Sequence, residues 1–210
     1  MKINAVFLKK SGVRRTGFHT DDAEKSLILI FAIMMVSVIF GALAYTLNRN
    51  AFGGEIWNCF VSLLTNTNGK TIIEIFSGFY IIDLFVLFLL TVFATASFGS
   101  FPAIITVFFR TVGIGTIGAY LFANYSFTGL KYYLLIILPG KVILFFGLLL
   151  AAQNCLRTSK KTKQIIDGKT GETIDRKLFF FRNAVCGAIF ALSALTDTCL
   201  MYFLSGKFNF

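Results

Sequence analysis

Four charged residues stand inside stretches that are otherwise apolar: Asp83, Arg110, Lys141 and Asp197. Asp83 is twelfth of the 25 residues in 72–96, Arg110 tenth of the 23 in 101–123, and Lys141 tenth of the 21 in 132–152. Asp197 is fourteenth of the 21 in 184–204. A lone ion at the centre of a bilayer costs about 3 kcal/mol on insertion scales, so such residues pair with one another or serve a transport path. Two cations and two anions spread over four runs permit either use: a salt-bridged network that fixes helix packing, or a polar cavity at mid-depth. Pro139-Gly140 adjoins Lys141. Proline removes a backbone donor and glycine tolerates unusual dihedrals, so this pair predicts a bent or broken helix, of the kind that lines ion sites in transporters.

Other chemistry is poorly served by the residue inventory. There is one histidine, His19, in a polar N-terminal tail, and the four cysteines, Cys59, Cys155, Cys186 and Cys199, show no CxxC spacing. No nucleophile stands beside a base and no metal-ligand cluster is visible. The reading is therefore non-enzymatic, with no catalytic residue, metal or cofactor. Gly113-Ile114-Gly115-Thr116-Ile117-Gly118 matches the G-x-G-x-x-G dinucleotide pattern letter for letter. That pattern cradles a pyrophosphate only between a strand and a helix N-terminus, whereas here it lies within an apolar run. Gly113, Gly115 and Gly118 read instead as a helix face of nearly bare backbone, on which another helix, from this chain or a second copy, can pack closely.

These residues need elements long enough to cross a bilayer. Five stretches of about 20 apolar residues qualify, at 27–47, 72–96, 101–123, 132–152 and 184–204. Each is helical by default, because a helix satisfies its own backbone hydrogen bonds in lipid. The expected fold is an all-α, five-span membrane bundle over 27–210, preceded by a basic tail at 1–26. The first run, too long for the core of a signal peptide, should persist as an anchor. With 56% apolar and only 14% charged residues, the chain falls outside ordinary soluble composition. Its net charge of +10 therefore reads as a topology signal rather than as a nucleic-acid surface. Six Lys and Arg residues lie in 1–26 and eight in 156–182, against four in the connections on the opposite side. This places the N-terminus in the cytoplasm and the C-terminus outside.

Two connections could meet partners. In the outer segment 48–71, Trp57, Phe60 and Leu64 lie on one apolar face of a short helix. That face could anchor in the membrane interface or dock another membrane or extracytoplasmic protein. The cytoplasmic loop 156–182 is basic and suits anionic lipid head groups. Within it, 164–175 reads as a small hairpin or polar turn around Asp167-Gly168. The links 97–100 and 124–131 are short, which makes the second, third and fourth spans antiparallel neighbours.

The whole pattern resembles the stage II sporulation protein M family of bacterial membrane proteins. The likeness rests on five spans in about 210 residues, a glycine-rich third span (Val112 to Phe122), a short outer turn (Asn124 to Gly129), and a fourth span with a central Leu138-Pro139. The chain departs from that family after Leu-Pro: many relatives carry His or Gln and then a carboxylate, where this chain has Gly140, Lys141 and Leu144. The resemblance implies a non-enzymatic, multi-pass scaffold of the bacterial cytoplasmic membrane. Such a scaffold recruits peptidoglycan-degrading partners, cell-wall hydrolases, to the septum during engulfment in sporulation. From chemistry alone the alternative is a permease or channel-like subunit with a polar midplane site.

Overall fold

The computed structural model describes residues 20–47, 71–168 and 175–204, and among these all regular structure is helical. The elements are α1 (Thr20–Leu47), α2 (Ile72–Thr95), α3 (Ser100–Tyr132), α4 (Leu138–Ile166) and α5 (Arg176–Leu204). A five-residue π-helical segment, Tyr133–Ile137, joins α3 to α4. Among the described residues, four helical runs are long and apolar enough to cross a membrane: Glu24–Leu47, Ile72–Thr95, Ser100–Ile166 and Lys177–Leu204.

The third of these runs holds 67 residues, which as a straight helix would reach about 100 Å. It does not run straight. Ser126 takes φ 50° and ψ −131°, a combination that side-chain-bearing residues rarely adopt, and the chain folds back there. Gly129 then lies against the Leu121 carbonyl, and the Tyr133 hydroxyl donates to the Ile114 carbonyl at 3.4 Å. The polar turn expected over 124–131 is thus concentrated at one serine, with helical hydrogen bonding resuming at once on either side.

Local signals set the other ends. Thr71 and Glu74 form a reciprocal capping box at the start of α2: the Thr71 amide donates to Glu74 Oε2 at 2.9 Å, and the Glu74 amide donates to Thr71 Oγ1 at 3.4 Å. Asp175 caps α5 by accepting from the Leu178 amide at 3.2 Å. Gly168, at φ 64°, ends α4 in the left-handed conformation that glycine adopts without penalty. The hairpin expected over 164–175 is therefore corrected at its first residues, since Gln164–Ile166 is the last turn of α4. Hydropathy fails at Arg157 but helix propensity does not, because Lys, Arg and Gln are good helix formers. At 29 residues, α4 is about 44 Å long, more than the roughly 30 Å of a hydrocarbon core.

Pro139 produces no break, a second correction. It sits in the first turn of α4, and the disturbance is absorbed upstream by the wider π turn. Proline offers no N–H to the carbonyl four residues before it and its ring crowds that carbonyl, so the preceding turn opens instead of the chain unwinding.

In the bundle, α1 packs chiefly on α3 and α4 on α5, while α2 touches α3, α4 and α5. The α1–α3 crossing is made by glycine on both sides. Gly115 lies against the Val38 carbonyl and Gly41 against the Val112 carbonyl, closer than any Cβ would permit. Gly118 meets the Tyr133 ring, whereas Gly113 has open space beside it. The outside of the bundle is apolar: Phe31, Phe85, Phe88, Phe109, Phe146 and Phe203 are all exposed. Exposed apolar surface together with buried charge is the arrangement that lipid favours.

Candidate functional site: a buried layer of paired charges

Two apolar clusters make up the interior. One runs through Leu87, Leu90, Leu144, Leu148 and Phe190, and the other through Ile75, Leu121, Tyr132, Ile136 and Met201. Between them lies a polar layer. On α2, Ile75, Phe79, Asp83 and Leu87 follow one another at four-residue spacing, so helical periodicity carries Asp83 onto the core face, where it is 1% exposed. On α4, Gly140 and Lys141 lie between buried Ile137 and Leu144, and on α5 Asp197 lies between Ala194 and Met201.

The four charges predicted from the sequence meet as two ion pairs. Arg110 Nη2 donates to Asp83 Oδ1, joining α3 to α2. Lys141 Nζ donates to Asp197 Oδ2 at 2.6 Å, joining α4 to α5, with the two residues 3% and 4% exposed. Lys141 Nζ also stands 5.1 Å from the centroid of the Phe79 ring, one helical turn from Asp83. The π system offers the ammonium a third, electrostatically favourable neighbour. Because Phe79 and Asp83 both belong to α2, that helix touches both pairs, and the layer spans α2, α3, α4 and α5.

Gly140 has a part that composition did not reveal. The Asp197 carboxylate rests on its Cα, where a Cβ would collide with Oδ1, and the Ser193 hydroxyl donates to the Gly140 carbonyl at 2.8 Å. The glycine makes room for the anion that neutralises its neighbour. Asp197 Oδ1 and Arg110 Nε have no hydrogen-bond partner.

Two further polar links were not anticipated. Near the basic end, Asn154 Nδ2 donates to Asn183 Oδ1 at 2.8 Å, and Asn183 Nδ2 donates to Thr91 Oγ1 at 3.2 Å, tying α4, α5 and α2 together. The hydropathy spans stop at 152 and restart at 184, so both asparagines fell in the loop between them. Asn154, between Gln153 and Cys155, and Asn183, beside Ala184, each stand at a span edge, and that was the available signal. Between α1 and α3, the Ser37 and Thr111 hydroxyls share a buried hydrogen bond.

Chemically the layer neutralises and fastens. Among the described residues no group of three His, Cys, Asp or Glu could hold a metal ion, and Cys155, Cys186 and Cys199 are free thiols. Trp57, Phe60 and Leu64, the docking candidates, lie outside the described residues, as do His19 and Cys59. Compared with protein-family models, curated proteins and solved structures, the chain matches none.

Proposed function

We propose that the chain is a non-enzymatic, multi-pass scaffold of the bacterial cytoplasmic membrane, one that holds cell-wall hydrolases at the septum during engulfment. On this reading it crosses five times, with Ser100–Ile166 contributing two antiparallel crossings, its N-terminus in the cytoplasm and its C-terminus outside. The observation that carries the reading is the pairing of the polar layer: each of the four charges is neutralised by a partner from another helix, with Asp83, Lys141 and Asp197 buried and Arg110 largely covered. Charges used in this way fasten a platform. The residues free to meet partners are then those beyond the membrane, foremost the apolar face of 48–71.

Replacing Trp57→Glu together with Phe60→Glu should abolish capture of cell-wall hydrolases from sporulating cells while leaving the protein in the membrane. Capture at the wild-type level would overturn the docking assignment. The permease-like alternative draws on the unpartnered Asp197 Oδ1 beside the π turn. A solute or ion flux in liposomes that changes with Lys141→Met would establish that reading instead.

A further inference from the structure

A groove of about 340 Å³ opens between α4 and α5, toward their basic ends. Arg157 and Asn154 of α4 and Arg182 of α5 line its polar part; Leu150, Phe181 and Val185 form its apolar wall. Among the described residues no carboxylate lines it. We propose that this groove is a specific site for one anionic glycerophospholipid, its phosphodiester held between Arg157 and Arg182 and an acyl chain laid along Leu150 and Val185. This rests on the reading of the chain as a membrane protein and adds a saturable, stoichiometric ligand to the general attraction of a basic loop for acidic head groups.

Depth supports the assignment. The Lys141–Asp197 pair levels α4 with α5. Arg157 and Arg182 follow that level by 16 and 15 residues, about 23 Å along each helix. With half of a bilayer being about 20–22 Å including head groups, both arginines stand at the phosphate layer. Leu150 is only about 14 Å from the pair by the same rise, within the acyl region. Side chains lean toward the N-terminus of their helix, so Arg157 on α4 tilts back toward the membrane.

The chemistry agrees. A guanidinium presents a planar fork that matches phosphate oxygens two at a time, and two forks from facing helices enclose a phosphodiester. An anion between the two guanidinia offsets the repulsion of the like charges that face the groove. A groove of this volume fits a head group and the first part of a chain.

Native mass spectrometry of the full-length protein in detergent, with phosphatidylglycerol titrated in, tests the site. One lipid should bind in preference to phosphatidylcholine, and Arg157→Gln with Arg182→Gln should weaken it roughly 30-fold, at about fivefold per cation. Lys160→Gln with Lys161→Gln, exposed on α4 outside the groove, should leave it unchanged. Equal loss in the lysine variant would reduce the effect to diffuse attraction and overturn the proposal, as would equal binding of phosphatidylcholine. Displacement of the lipid by millimolar inorganic phosphate would assign the arginines to free phosphate instead. An unchanged melting temperature shows that the arginine variant is folded; should it melt early, Leu150→Gln, which alters only the acyl wall, must lower lipid affinity or the proposal fails. Hydrolase capture by the same protein reports separately on the scaffold reading.

Discussion

Gly140→Ala adds one methyl group at the place where the Asp197 carboxylate lies. The carboxylate must then move off Lys141 or the two helices must part. Overpacking of this kind costs about 1–3 kcal/mol, and loosening a buried ion pair adds to it. Thermal unfolding in detergent should fall by several degrees, whereas Ala at Gly78, beside which there is open space, should leave it nearly unchanged apart from the gain in helix propensity. The residue pattern made Asp83, Arg110, Lys141 and Asp197 visible, because a charge within an apolar run stands out whatever its neighbours. Which charge meets which was hidden, since helix order and rotation decide it. Gly140 was misread for a related reason: beside proline it looks like a breaker, and its use as space for a carboxylate 57 positions later has no local signature.

At the scale of elements, the glycines of α3 differ in a way their motif conceals. Gly115 abuts the α1 backbone while Gly113 faces open space. Gly115→Leu should therefore push α1 away and lower stability by about 3 kcal/mol or more, within the range of severe overpacking. Gly113→Leu should be tolerated within about 1 kcal/mol, and chemical unfolding of the two variants side by side measures the contrast. Hydropathy located the helices well because lipid-length apolar runs have few alternatives. It missed their extensions, since α4 continues through Lys160, Lys161 and Lys163 to Ile166 on helix propensity alone. The reversal at Ser126 falls inside the short turn expected over Asn124 to Gly129, although the serine itself is not marked by an adjoining glycine or proline, and the π turn followed from Pro139 only once the helix was seen to continue.

For the molecule as a whole, the polar layer gives two apolar clusters a fixed register. Apolar packing alone supplies little direction in lipid, because lipid tails are as apolar as the side chains they would replace. Paired ions supply it: α2 must meet α3 where Asp83 meets Arg110, and α4 must meet α5 where Lys141 meets Asp197. The outer surface remains free to be apolar throughout and the termini to be polar. The central claim is that these charges fasten the bundle and do nothing else. A double-mutant cycle on Lys141→Met and Asp197→Asn, read by unfolding stability and by hydrolase capture, tests it most directly. Each single replacement strands a buried charge and should cost about 3–5 kcal/mol. The double replacement should recover most of that loss and capture partners like the wild type. A double variant that is stable but inactive, or single variants that unfold no earlier than the wild type, would contradict the account.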